Sequence, residues 1–216
     1  MKLAIPRLYA IMDAALLRTT ELAFAEMLAQ AGVDLIQYRH KQASSRSSFQ
    51  SSCALVECLS PRGVKLVVND RPDIAALAGA AGVHVGQDDL TVEQARAICG
   101  PARWVGISTH NLPQFERAAV TSADYIAVGP IFPTRTKQNP DPVVGLDFIH
   151  RVRPLTAKPL VAIGGITLEN ARDVFAAGAD SIAVARDLAE APDPGARAGQ
   201  FLDLAAQFDL RETGAA

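Results

Sequence analysis

Short apolar runs punctuate the chain: LYAIMD, LIQYRH, KLVVND, GVHVGQ, RWVGIST, DYIAVGPIF, PLVAIGG and DSIAVARD. Their continuous Val/Ile-rich centres predict strands covered on both faces, as in a parallel sheet. Most runs lead into Ala/Leu-rich stretches with helical spacing. In Glu21 to Ala31, Phe24, Met27, Leu28 and Ala31 share a face; in Leu168 to Ala177, Leu168, Ala171, Val174 and Phe175 do. Gly32, Gly82, Gly100 and Gly178 follow helical patterns, where a residue tolerating positive φ is expected to cap the helix before the next strand. Strand and helix thus alternate with a period of about 25 residues. Eight such units in 216 residues predict one α/β domain, a single (β/α)8 TIM barrel over 1–216, with a short tail at about 211–216 expected to be disordered. A doubly wound open sheet would alternate similarly, but no Gly-rich dinucleotide turn follows the first run.

With 49% hydrophobic residues the chain can bury a full core. Its 21 basic and 23 acidic side chains give 21 − 23 = −2, which offers no overall field for nucleic acid or an anionic membrane. An anionic ligand must therefore be held by local charges. Cys53, Cys58 and Cys99 form neither a CxxC pair nor a metal-ligand pattern, which fits a reducing cytoplasm. Pro6 and Arg7 cut the N-terminal apolar run short of a signal-peptide core, so a first strand is expected at Arg7 to Asp13.

Barrels of this kind carry their sites at the C-terminal mouth of the strands. The predicted strand ends bring there Asp13; Gln37, Arg39 and Lys41; Asn69 and Asp70; Gln87, Asp88 and Asp89; Ser108 and His110; Thr134, Thr136 and Lys137; Gly164 and Gly165; and Ala185 and Arg186. After Phe132 the chain runs about a dozen residues without helical pattern, a length typical of binding loops. Asp70 and Asp89 end neighbouring strands and make an oxygen-rich pair suited to Mg²⁺. Asp73 and Asp88 are alternatively helix caps. Arg39 and Lys41 point to one side by alternation, with His40 pointing away, and supply cations for phosphate. Gly164 and Gly165 follow the seventh run, where these barrels usually bind phosphate. His84 lies within an apolar run and reads as a satisfied core histidine. His110 fits no defensible nucleophile–base arrangement, and His150 reads as helix surface.

QYRHK (37–41), VNDRPDIA (68–75), GVHVGQDD (82–89), GIST (106–109), GPIFPTRTK (129–137), VAIGGI (161–166) and GADSIAVA (178–185) together resemble the thiamine-phosphate synthase family, in its order and nearly its spacings. The resemblance implies a transferase joining a hydroxymethylpyrimidine diphosphate to a thiazole phosphate, with Mg²⁺ as cofactor. It implies that Gln37, Tyr38, Arg39, His40, Lys41, Asn69, Ser108 and Lys137 bind the pyrimidine diphosphate, with Arg39, Lys41, Ser108 and Lys137 catalytic. Thr134, Arg135, Thr136, Gly165, Ala185 and Arg186 would bind the thiazole phosphate, and Asp70 and Asp89 the metal. The partners expected are these small molecules, without nucleic acid or membrane, and a homo-oligomer is left open. Arg186 departs from the family, which commonly has Ser there. The Ser-rich segment 44–52 lies in a stretch shorter than the family's. Two other readings are a related thiazole tautomerase, which would centre on His110, and a non-catalytic phosphate-binding regulatory barrel.

Overall fold

A computed structural model describes residues 5–136 and 141–213. Each apolar run contains a strand: β1 (Leu8–Asp13), β2 (Leu35–Arg39), β3 (Lys65–Asn69), β4 (Gly82–Val85), β5 (Trp104–Thr109), β6 (Tyr125–Val128), β7 (Leu160–Ile163) and β8 (Ser181–Val184). They pair in parallel in chain order, and β8 closes on β1 through Leu8 opposite Ile182 and Ala10 opposite Val184. Closure removes every sheet edge, so the strands are buried on both faces.

Side-chain alternation then divides the core in two. Tyr9, Ile11, Leu35, Val67, Tyr125, Ala127, Val161 and Ala183 pack inside the barrel. Their neighbours Leu8, Ala10, Met12, Ile36, Leu66, Val68, Val83 and Ile126 face the helices. Those helices are α1 (Glu21–Gln30), α2 (Ser45–Leu59), α3 (Pro72–Leu77), α4 (Val92–Cys99), α5 (Leu112–Ala119), α6 (Leu146–Val152), α7 (Ala171–Ala176), α8 (Arg186–Ala189) and α9 (Pro194–Thr213). Phe24, Leu28, Leu55, Phe115, Phe175 and Phe201 are among the large side chains they bury.

Helix starts follow capping chemistry. Thr20, Ser44, Thr91 and Asn111 accept from the backbone N–H three residues on, and Thr91 completes a capping box with Gln94, each cap contributing roughly 1 kcal/mol. Two of the six serines in 44–52 have roles here: Ser44 caps α2 and Ser45 Oγ accepts from Arg71 Nη1 at 2.9 Å. Asp88 does not cap α4, because Thr91 does. Asp73 lies within the first turn of α3, paired with Arg71. Gly32, Gly100 and Gly178 have positive φ as expected. Gly82 does not: it opens β4, where a Cβ would meet the Trp104 carbonyl oxygen at 2.5 Å, and Gly79 has the positive φ before that strand. α9 reaches Thr213, past the start of the expected tail, and 214–216 lie outside the described residues. Among the described residues no helix is long and apolar enough to cross a membrane, and all three cysteines are free.

Candidate active site

A cavity of about 580 Å³ opens at the C-terminal mouth of the barrel. Ile11, Ala127, Val161, Ile163 and Ala183 give it apolar walls. Polar groups stand at its two sides.

On the β2–β4 side, Gln37, Arg39 and Asn69 line the cavity. The Arg39 guanidinium is ion-paired with the buried carboxylate of Asp13. Lys41 reaches across to pair with Asp70. Asp70 has φ 62, a left-handed backbone uncommon outside glycine. Burial pushes its carboxyl above the ordinary range, the Lys41 ammonium opposes that, and neighbouring Asp89 adds to it. Asp89 is oriented by the backbone N–H of Gly86, which donates to its Oδ2 at 2.8 Å. Two close carboxylates, one partly desolvated, favour a bound cation, because each raises the cost of ionising the other. The donors are all oxygen, and among the described residues no group of three or more His, Cys, Asp or Glu is arranged to hold a metal ion by itself. That set fits Mg²⁺, which completes a small carboxylate set with waters and substrate phosphate oxygens.

Tyr38 and His40 are not brought to the mouth. Alternation turns both outward, where Tyr38 Oη donates to Glu21 Oε1 at 2.9 Å and His40 Nδ1 lies 3.2 Å from the same oxygen. Burial pushes the Tyr38 hydroxyl up to about 12. These two expected ligands of the diphosphate instead fasten β2 to α1.

On the β6–β8 side, Gly164 and Gly165 line the cavity beside Thr134, Arg135, Thr136, Ala185 and Arg186. Gly165 has φ 66, and a Cβ there would lie 2.5 Å from the Pro133 carbonyl oxygen. Only glycine lets the β7 turn pass so close under the long loop. That loop is tied down by Phe132 N–H to Gly164 O at 3.0 Å and Val144 N–H to Pro130 O at 2.8 Å. Thr134 Oγ1 accepts from the Thr136 N–H at 3.3 Å, a turn that gathers both hydroxyls on one side. Arg186 pairs with Glu190, and its Nη2 donates to the Arg135 carbonyl at 3.3 Å. Lys137 lies outside the described residues.

Ser108 and His110 line the middle. His110 Nδ1 donates to the Gly129 carbonyl at 2.6 Å, while its Nε2 is 3.4 Å from Asp141. His84 is buried and hydrogen-bonded, as expected, yet it also lines the cavity, as does Tyr9. Neither was among the expected ligands. Their signal in the sequence is a polar ring at an inward position of an apolar strand.

Residues 8–188 match the family model described as "Thiamine monophosphate synthase". The chain is 52% identical over 207 residues to a thiamine-phosphate synthase from Koribacter versatilis, covering 94% of this chain and 97% of that protein. It is 43% identical over 199 residues to one from Chloroflexus aurantiacus, covering 92% of each. The solved structure of a thiamine phosphate pyrophosphorylase from Pyrococcus furiosus superposes with a TM-score of 0.85 at 30% identity, covering 94% of this chain and 96% of that one. With its barrel closed, its cavity at the strand ends and its relatives alike along nearly their full length, the chain belongs to the thiamine-phosphate synthase family.

Proposed function

We propose that this chain transfers the pyrimidinylmethyl group of an aminopyrimidine methyl diphosphate to a thiazole phosphate, giving thiamine phosphate and pyrophosphate. The carrying observation is the pairing of two anion-suited regions on opposite sides of one apolar cavity. Gln37, Arg39 and Asn69 line one side, with the Lys41–Asp70 pair at the neighbouring strand ends, and Gly164, Gly165, Thr134, Thr136 and Arg186 line the other. A condensation of two phosphorylated substrates needs that layout.

The C–O bond between methylene and diphosphate breaks, and its electron pair leaves with pyrophosphate. The thiazole nitrogen then donates its lone pair to the methylene carbon; with the carboxylated thiazole, the ring–carboxylate bond breaks, CO₂ departs, and the electron pair left on the ring carbon takes up a proton from solvent. Arg39 and Lys41 hold diphosphate oxygens after exchanging their carboxylate partners for them, guanidinium in forked contact and ammonium as a point charge. Asp70 and Asp89 would hold Mg²⁺, which supplies neutralisation of the diphosphate and of the leaving pyrophosphate. Lys137, assigned by family resemblance, adds a cation on the leaving group. Ile11, Val161, Ile163 and Ala183 keep water from the reactive carbon. The β7 turn presents backbone to the thiazole phosphate where Gly165 permits close approach. His110 is held at both ring nitrogens, and a proton shuttle on the thiazole would not require the Arg39–Lys41 cluster. Three free thiols suit work in a reducing cytoplasm.

The test is incubation of purified protein with both substrates and Mg²⁺, following thiamine phosphate and pyrophosphate. Equal amounts of the two products, lost on chelation, are expected. No product at saturating substrates would overturn the assignment.

A further inference from the structure

Asn170 is the N-cap residue of α7, yet its side chain does not cap that helix. It turns back on the β7 turn instead. Its Oδ1 accepts from the Thr167 N–H at 2.9 Å, and its Nδ2 donates to the Gly165 carbonyl at 3.0 Å. The partners fix the amide this way round, because a backbone N–H can only donate and a carbonyl can only accept. The preceding carbonyl of the turn is held as well, since Phe132 N–H donates to Gly164 O at 3.0 Å.

Pinning these two carbonyls aims two N–H groups. In a planar trans peptide the N–H points opposite to the carbonyl, so the Ile166 N–H is directed away from Asn170 and the Gly165 N–H away from the Phe132 backbone. Gly164, Gly165, Ile166 and Thr167 line the cavity, whereas Asn170 stands behind the turn and does not. The Ile166 side chain packs into the helix-facing core, so what this residue offers the cavity is its backbone. Among the described residues neither the Gly165 nor the Ile166 N–H has a backbone acceptor. Successive N–H groups in a turn make an anion-binding concavity.

We infer that Asn170 is a positioning residue: from behind the turn it holds the Gly165–Ile166 peptide plane with its N–H toward the substrate phosphate, and so sets how strongly the site prefers a phosphorylated thiazole to the bare thiazole alcohol. The inference rests on the function proposed above. The Thr167 contact alone is what a helix start uses, a side-chain acceptor three residues on, as in a capping box. Gly165 lies outside that start, and capping gives no reason to hold its carbonyl. Released from Asn170, a peptide that follows glycine can turn over, because glycine accepts either hand of φ. The turned plane would face the phosphate with a carbonyl oxygen, exchanging attraction for repulsion. The far end of the turn stays anchored without Asn170: Leu168 N–H donates to Asp187 Oδ2 at 3.3 Å, and Ala171 N–H to Thr167 O at 3.0 Å.

The experiment measures dissociation constants of the thiazole phosphate and of the thiazole alcohol for wild type, Asn170→Ala and Asn170→Asp, at low and high salt, with melting profiles alongside. In Asn170→Ala the preference for the phosphate should fall at least about tenfold, the loss of a hydrogen bond to a charged group, while affinity for the pyrimidine diphosphate is unchanged. Asn170→Asp keeps the acceptor for Thr167, and with it the wild-type melting profile, but sets an oxygen against the Gly165 carbonyl. Its preference should fall as far and stay low at high salt, where repulsion between the new charge and the phosphate is screened. General loosening would weaken phosphate and alcohol alike and leave their ratio intact. An unchanged ratio in Asn170→Ala, or a ratio that Asn170→Asp regains at high salt, leaves Asn170 serving the helix start alone and overturns the inference; should Asn170→Ala fail to fold, Asn170→Asp decides. A wild type that binds neither thiazole compound overturns the proposed function and this inference with it.

Discussion

The Lys41 ammonium and the Asp70 carboxylate neutralise each other across the ends of β2 and β3, although in the proposed reaction each faces a ligand of the opposite sign. The metal must draw Asp70 from Lys41, and the diphosphate must draw Lys41 from Asp70. Bound together, they exchange one ion pair for several charge-assisted contacts. Mg²⁺ alone should therefore bind weakly, and its affinity should rise at least about tenfold when pyrophosphate is present, a coupling that is reciprocal by linkage. Lys41→Met should tighten Mg²⁺ alone while weakening pyrophosphate. Titration calorimetry of each ligand with and without the other decides it; independent binding would contradict the exchange.

Asp70 carries stored cost where the proposed reaction needs a metal ligand: a left-handed backbone, partial burial and a neighbouring carboxylate. A carboxyl raised in the folded state contributes stability below its unfolded pKa that is lost as pH rises through the folded value. Asp70→Asn removes that loss and suits the backbone at φ 62. Without Mg²⁺, the variant should melt higher than wild type at neutral pH, with the gap closing as pH falls through the carboxylate range. Turnover and the melting shift caused by Mg²⁺ should both collapse. Asp89→Ala should lose turnover too, but without the gain in stability, since Gly86 N–H loses its acceptor. Wild-type turnover with an unchanged Mg²⁺ requirement in the double variant would remove both residues from the metal site.

Asp73 behaves oppositely. Its hydrogen bonds from Arg71 hold the carboxyl below the ordinary range, against a smaller effect of burial. A lowered carboxyl contributes stability above its unfolded pKa, lost as pH falls through the folded value. Asp73→Asn should therefore flatten the acid side of the melting profile and leave the profile near pH 2 unmoved, by a small amount because the pair is largely solvated. A variant as acid-sensitive as wild type would show the pair to be idle.

Strand periodicity and strand-end chemistry made the barrel and most of its mouth legible in the sequence. The run VHV declares a buried strand, and NDRPD ends one with side chains too polar to bury. Alternation likewise indicated that His40 leaves the mouth; including it and Tyr38 among the ligands followed the resemblance against the pleat. What stayed illegible depends on level around the barrel. Tyr9 and Tyr125 are 116 residues apart, and nothing local says that their hydroxyls meet. Gly106 gave no sign either, since a glycine that admits another strand's ring looks like any glycine in a strand. The pairing of Arg39 with Asp13 and of Lys41 with Asp70 was equally hidden, because Arg39, Lys41 and Asp70 were read as facing ligands and Asp13 was given no partner.

Arg186 stands where the family resemblance implies Ser, and its contacts define what it can do. Its Nη1 pairs with Glu190 on the next turn, its Nη2 holds the Arg135 carbonyl of the long loop, and its buried Nε has no partner. The Glu190 pair is partly exposed, and such pairs contribute roughly 0–1 kcal/mol. A phosphate dianion offers stronger, charge-assisted contacts and is expected to displace Glu190. Arg186→Ala should then weaken thiazole phosphate by about tenfold, with Arg186→Ser recovering part through its hydroxyl. Glu190→Gln should tighten it by about threefold, by removing the competing carboxylate. Both effects should shrink at high salt, since the site is open to solvent. Dissociation constants at two salt concentrations separate this role from that of a loop tether. A tether leaves the Glu190→Gln affinity at the wild-type value and makes the loss in Arg186→Ala independent of salt.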